Sequence, residues 1–339
     1  MKALLASLSD EVATLSGRIG RRVEADKLGL LDRRSFMRLG PDGTSVSPNG
    51  SCRLFATGDG DWLALNLARA EDVELLPAWL ETDIPMAAAW PRIEALASQR
   101  KAGDLLERAV LLGLPAARVG EAAPFETPPN LRLAQPALRR STRLRVIDLS
   151  ALWAGPLCGA VFAALGADVL RIETQRPDPT EDNSPELFHR LNGDKRTLTL
   201  DLTSPDGRVE LLRQVRSADV LITSARPRVF AGLGLTPEVM FEGGRALVWV
   251  AITAHGWTGE AAYRVGFGDD TAAAGGLLGQ DRSGKPVFIG DALADPITGL
   301  MAAAASLRAL EQGGGVLLDM AMSHSAATAA SMLCLEGVS

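Results

Sequence analysis

Three cysteines and three histidines are all that 339 residues supply. Cys52, Cys158 and Cys334 stand far apart, with no Cys-x-x-Cys and no Cys/His spacing. That excludes a disulfide framework or zinc cluster and fits a reducing cytoplasm. His189, His255 and His324 have no neighbours at metal-ligand spacing, so no metal is expected. A basic surplus is missing too: the net charge is -6, which argues against nucleic acid as the main partner. The longest apolar runs, near Val161 and Met301, fall short of the ~20 residues that span a bilayer. The N-terminal stretch MKALLASLSDEVATLSGR carries acids early and has no apolar core of signal-peptide length. A cytoplasmic chain without membrane contact is the expectation. Neither G-x-G-x-x-G nor G-x-S-x-G occurs, which removes the plain dinucleotide fingerprint and the hydrolase elbow. There is no internal repeat and no low-complexity tract.

What is present is ordinary globular material, 47% hydrophobic and 22% charged, enough for roughly two domains of about 150 residues. A proline-rich polar seam, EAAPFETPPNLRLAQPALRRST at 121–142, divides two textures. Before it, Leu4 to Ile19 reads as an amphipathic helix. SCRLFATGDGDWLALNLA reads as a β-hairpin turning at Gly58–Asp61, and three short helical stretches follow, with Gly113 capping the third. After the seam, LRVIDLS, ADVLRIE, ADVLITS, ALVWVAIT and GGVLLDMAM are apolar strands alternating with helices. Strands hydrophobic throughout are buried on both faces, so this part predicts a doubly wound, mostly parallel α/β sheet, Rossmann-like, preceded by a smaller α+β part. In such sheets ligands sit beyond the carboxyl ends of the strands, which directs attention to the turns there.

Each candidate in those turns has a plain structural alternative. SALWAGPLCG, with Gly155 and Pro156, is either a tight strand-to-helix turn or one that offers N–H groups to a phosphate. Asn192, Lys195 and Arg196 in HRLNGDKRTLTLDL are either a solvated polar turn or cations at a site. Arg226 and Arg228 in TSARPRVF face phosphate or solvent, and His255 in ITAHGWTGE sits in a glycine-flanked loop at a strand end. Asp269 and Asp270 enter an alanine/glycine helix as caps or as acids. Asp295, followed by Pro296, reads as an N-cap with proline in the first turn. It equally reads as a carboxylate kept ionised by a helix N-terminus.

The motifs taken in order resemble the class III CoA-transferases, the family of formyl-CoA and carnitine CoA-transferases. LRVIDLSALWAGPLCGAVFAALGADVLRIE is similar to the family's strand, A-G-P turn, helix and LGADVIKIE-type strand. Asn192 to Asp201 matches its N-x-x-K-R-S segment, ADVLITSARPRVFAGLGL its ADVLVENFRPG…LGL segment, and ITAHGWTGE its ITGFGQTGP segment. Asp295 with Gly299 matches an Asp that opens a helix with Gly four residues on. The first part is similar to the family's small domain, which usually follows the large one; here it precedes it.

The resemblance implies a small domain at 1–125, a linker at 126–142 and a Rossmann-like CoA-binding and catalytic domain at 143–339. It implies an acyl-CoA:carboxylate CoA-transferase in which Asp295 forms an aspartyl-CoA thioester, with coenzyme A as co-substrate and no metal, nicotinamide or flavin. CoA contacts carry over onto Ala151, Trp153, Ala154 and Gly155, with Arg176, Lys195, Arg196 and Arg226 toward the adenine and phosphates. Asp291, one turn before Asp295, is expected to support it from behind. A homodimer, in the family an interlocked one, is implied. Related racemases place a histidine where Phe267 stands, which argues against racemisation, since that chemistry needs a base on each face of the α-carbon. Two alternatives stay open: an acyl-CoA isomerase or epimerase using Asp269, Asp270 or His255, and a CoA-binding subunit with no activity of its own.

Overall fold

The computed structural model describes all residues except 85–88, 126–129, 137–142 and 337–339. In the first part of the chain the strands are β1 (Cys52–Ala56), β2 (Trp62–Asn66) and β3 (Ala116–Arg118). There follow β4 (Asn130–Arg132), β5 (Arg145–Leu149), β6 (Asp168–Glu173), β7 (Arg196–Thr199), β8 (Val220–Thr223) and β9 (Val248–Thr253). The last are β10 (Gly279–Gln280), β11 (Pro286–Val287) and β12 (Val316–Ala321).

The chain forms two compact units, each assembled from three segments: Met1–Met37, Glu126–Trp257 and Asp295–Ala321 in one, Arg38–Phe125, Thr258–Ala294 and Met322–Ser339 in the other. The first unit is built on a seven-stranded sheet in the order β4-β12-β9-β8-β5-β6-β7. Every neighbouring pair is parallel except β4 on β12. Ile147, Leu170, Leu221, Trp249 and Leu317 pack in one buried cluster against Phe230 and Met240. Trp249 is fully enclosed, and its indole N–H donates to Thr223 Oγ1 at 3.0 Å. Helix Lys2–Ile19 belongs to this unit; Arg18 pairs with Glu311 at 3.5 Å and Glu11 pairs with Arg308, both partners lying on helix Ala294–Glu311.

The strand order fixes where a ligand would go. From β5 the chain steps outward through β6 to β7, then returns to the other side of β5 with β8. The direction of winding therefore reverses between β5 and β8, and the turns leaving these two strands diverge at their carboxyl ends.

In the second unit β1, β2 and β3 form an antiparallel sheet whose two faces are told apart by the alternation of side chains. Phe55, Leu63 and Leu65 point to a core shared with Leu76, Trp79, Ile93 and Leu105. Cys52, Leu54 and Ala64 point the other way, against Ala273 and Phe288. Trp79 meets its need for a partner through the Leu105 carbonyl at 2.9 Å. Helix Gly268–Ala274 runs into Gly275, where a Cβ would lie 2.4 Å from the Ala327 nitrogen, so helix Met322–Glu336 crosses there at backbone contact.

The division into 1–125, 126–142 and 143–339 expected from the sequence differs from these units. The hairpin sheet has a second apolar face, and it is covered by residues from 258–294 rather than by the first 125. Helix Lys2–Ile19 goes with the large sheet. Of the expected linker, 126–129 and 137–142 lie outside the described residues, while Asn130–Arg132 adds β4 to the edge of β12.

Candidate active site

The turn leaving β5 is held at each of its first residues. Ser150 donates both its backbone N–H, at 3.0 Å, and its hydroxyl to Asp148 Oδ1. The Ala151 N–H donates to Ser224 Oγ, just past β8, at 2.9 Å, so one hydrogen bond ties the two diverging turns together. The Leu152 N–H donates to the Asp178 carboxylate at 3.1 Å, and Leu152 itself takes a left-handed φ of 69°. That region disfavours a branched side chain, so the turn is kept there by its bonds. Trp153 is buried, donates its indole N–H to the Leu30 carbonyl at 2.8 Å and carries the Arg33 guanidinium 5.2 Å above its ring. Helix Ala154–Leu165 then begins. Its first N–H groups have no intrahelical acceptor, as at any helix start.

Beneath that helix lies an ion pair. Lys195 Nζ is 2.8 Å from Asp148 Oδ2, both side chains are 0% exposed, and the ammonium also donates to the Pro156 carbonyl and to Asn192 Oδ1, each at 2.9 Å. Two glycines make room. A Cβ on Gly155 would lie 2.3 Å from Ser150 Cβ, and one on Gly159 would lie 2.5 Å from Asp148 Oδ2. Burial pushes the Lys195 pKa down, opposed by the Asp148 carboxylate. The same burial, reinforced by Asp148, pushes the Cys158 thiol up, leaving it an inert core residue.

Asp295 lies in the first turn of helix Ala294–Glu311, half-buried. The helix begins two residues earlier than an N-cap at Asp295 would place it, so Asp295 is its second residue rather than its cap. Gly299, on the same face one turn later, explains the glycine: a Cβ there would meet Leu157 Cδ2 at 2.7 Å and the Ala154 carbonyl at 2.8 Å. Helix Ala294–Glu311, one turn past Asp295, therefore meets the first turn of helix Ala154–Leu165 at backbone distance.

The other expected residues separate into groups. Arg226 caps the short helix Pro227–Gly232 right after β8, half-buried at the switch crevice, and Arg176 is exposed in the loop after β6. Both are at carboxyl ends of strands. Arg196 is not. It opens β7 and holds a bidentate pair with Asp168, the first residue of β6, at 2.9 and 3.0 Å, which places it at the amino ends. Lys195 was expected to line the ligand edge; its three protons go instead to protein acceptors, so it supports the turn from below. Ala151 is half-exposed, whereas Trp153, Ala154 and Gly155 are buried. His255 is buried directly after β9.

Asp269, Asp270 and Asp291 lie in the other unit. Asn49 Nδ2 bridges Asp269 Oδ2 at 2.6 Å and Asp291 Oδ1 at 3.2 Å, and Asp269 Oδ1 receives the Ala292 N–H at 2.7 Å, where φ is 45°. Asp270 Oδ1 accepts from Asn66 Nδ2 and from the Phe267 N–H, each at 2.9 Å. Burial raises the Asp270 pKa to about 7, against these two bonds and with help from the Asp269 charge. The arginine that sequence reasoning missed is Arg171 in β6. It is buried, pairs with Glu173 and, at 3.7 Å, with Asp178, and lies 4.7 Å over the Phe188 ring. A lone cation inside an apolar strand was the available signal.

Among the described residues no group of three or more metal-ligating side chains converges, and no helix is long and apolar enough to cross a membrane. The family model for CoA-transferase family III matches residues 142–337. A succinate–glutarate CoA-transferase of Agrobacterium fabrum is 31% identical over 199 residues, covering 53% of this chain and 50% of that protein. The human alpha-methylacyl-CoA racemase is 33% identical over 197 residues, covering 56% and 50%. Among solved structures, a CaiB/BaiF family protein from Brucella suis superposes with a TM-score of 0.52 at 30% identity, over 57% of this chain and 56% of that one. This chain thus spans about half the length of the curated relatives it matches.

Proposed function

The chain belongs to CoA-transferase family III, and from that premise we propose that it moves CoA from an acyl-CoA to a second carboxylic acid through Asp295. The observation that supports this reading is the backbone contact at Gly299, one turn past Asp295, with the first turn of helix Ala154–Leu165, which leaves the β5 turn at the switch of the sheet.

The chemistry follows from a nucleophilic carboxylate. Asp295 attacks the thioester carbonyl and the C–S bond breaks, giving a mixed anhydride and CoA thiolate. The thiolate attacks the aspartyl carbonyl, releasing the donor acid and leaving Asp295 as its CoA thioester. An acceptor carboxylate runs the two steps in reverse, so atoms and charge balance and no redox step occurs. First-turn N–H groups of the helix are proposed to stabilise the oxyanions. Arg226 and Arg176, at carboxyl ends, are the cations proposed to meet the CoA phosphates, with Ala151 lining the turn. Trp153, Ala154 and Gly155 shape it from beneath. Lys195 and Arg196 are not proposed as direct contacts.

A second reading, α-proton exchange, is favoured by the likeness to a racemase. Asp269 and Asp270 are fully enclosed and held by Asn49, Asn66 and backbone N–H groups, which weighs against them as its acids. A homodimer is proposed as the working form, to be checked by light scattering. Asp295→Asn should stop isotope exchange between labelled acid and acyl-CoA while the melting temperature stays near that of the parent. Retained exchange in that variant removes Asp295 from the reaction, and deuterium entering the α-carbon without an acceptor acid selects the second reading.

A further inference from the structure

One buried polar cluster in the large-sheet unit reaches both the β5 turn and the helix that follows it. Asp148 receives Ser150 N–H and hydroxyl on one oxygen and the Lys195 ammonium on the other. Lys195 passes the connection to the Pro156 carbonyl, in the first turn of helix Ala154–Leu165, and to Asn192. The start of the turn and the start of the helix are thus tied to one pair of charges. We propose that Asp148 is a positioning residue for the CoA-binding turn, acting through Ser150 directly and through Lys195 on Pro156.

The physical case is one of geometry and cost. An ion pair in the interior is commonly no more stabilising than two apolar side chains of the same volume, so packing alone gives no reason to keep it. What an apolar pair cannot do is accept from Ser150 and donate to a helix-start carbonyl at the same time. The glycine at 159 points the same way, since any side chain there would collide with Asp148 Oδ2 and Lys195 Nζ, at 2.5 and 2.9 Å. The helix has no Cβ at the one place where the pair must sit. With Leu152 held at a left-handed φ of 69°, the turn has a conformation that would relax once its tethers were cut.

This inference rests on the proposed CoA site, and the test separates the two. Asp148→Asn leaves a buried ammonium unpaired and lowers stability, so the informative variant is the double change Asp148→Leu with Lys195→Met. It removes both charges together and should melt within a few degrees of the parent. Its KM for acyl-CoA should rise tenfold or more with kcat changed less than threefold, and amide hydrogen exchange should accelerate at least tenfold in peptides covering 150–157 and not elsewhere in the sheet. Ser150→Ala, which cuts one tether and keeps the pair, should raise KM about threefold. A double variant with parental KM and parental exchange at 150–157 overturns the proposal, whatever its melting temperature. If the parent protein shows no CoA exchange with any acid, the functional reading fails; the amide-exchange comparison then still decides whether Asp148 sets the turn.

Discussion

Asp148 and Asp270 are both fully buried carboxyl groups, one in the large parallel sheet, the other at the start of a helix packed on the hairpin sheet. Asp148 has an ammonium 2.8 Å away. Asp270 has the Asn66 amide, a backbone N–H and the neighbouring Asp269 charge, but no cation among the partners that hold it. Burial is alike in the two places, and what compensates it is different. In the first a charge answers a charge, so the group can organise hydrogen bonds around it. In the second no cation among those partners offsets the burial and the pKa is raised to about 7, which makes the group sensitive to pH.

Breaking the compensated pair on one side should have the largest effect. Asp148→Ala leaves the Lys195 ammonium without its partner in a site that is 0% exposed, a change that typically costs about 3–5 kcal/mol. Thermal or denaturant unfolding measures it. The double change described above should recover most of that loss, and a loss that persists would mean the cavity, not the charge, sets the cost.

On the other side of the comparison the expected effect is a pH dependence. The native Asp270 pKa of about 7 lies above the 3.8 of an ordinary aspartate, so between those values the native state holds a proton that the unfolded chain has released. Stability is therefore highest at the low-pH end of this window and falls as pH rises toward 7, at up to about 1.4 kcal/mol per pH unit. Asp270→Asn should flatten that slope in urea unfolding followed across the window. An unchanged slope in this variant would assign the titration to another group.

Gly299→Ala probes the contact between the two helix starts. The added Cβ would lie 2.8 Å from the Ala154 carbonyl, which is backbone and cannot swing away. Overpacking of this kind costs about 1–3 kcal/mol, and CoA exchange should fall more than stability does. Smallest of all should be Arg196→Ala. Its pair with Asp168 is largely exposed on the arginine side, so the loss should be within ~1 kcal/mol.

The parallel sheet was legible because β5, β6, β8, β9 and β12 are short runs apolar on both faces, a pattern that only a doubly covered sheet explains. The β5–β8 switch then follows from the order of strands. β3 was not foreseen, since three residues behind Pro115 leave no alternation to count, and β4 hid inside a proline-rich stretch. Nor was the interleaving of the two units, because Ala273 and Phe288 complete a sheet more than 200 residues back in the chain, beyond the reach of local pattern. At the proposed site, motifs alone pointed to the β5 turn and to Asp295. The direction of Lys195 was misread: Asp-Lys-Arg before a strand looks solvated, and only Gly155 and Gly159, four residues apart in GPLCG, hinted that something had to pass under the helix. Arg196 was misplaced because a strand's first residue and its last are close in sequence but lie on opposite edges of the sheet.

The reactivity of Asp295 is tested most directly by trapping. The protein is mixed with an acyl-CoA, quenched with hydroxylamine and digested, and the peptides are weighed. The peptide containing Asp295 should carry the hydroxamate increment, only when acyl-CoA was present, and Asp295→Asn should abolish it. Turnover of CoA between acids with no modified Asp295 peptide, or with the increment on another carboxylate, would contradict the mechanism.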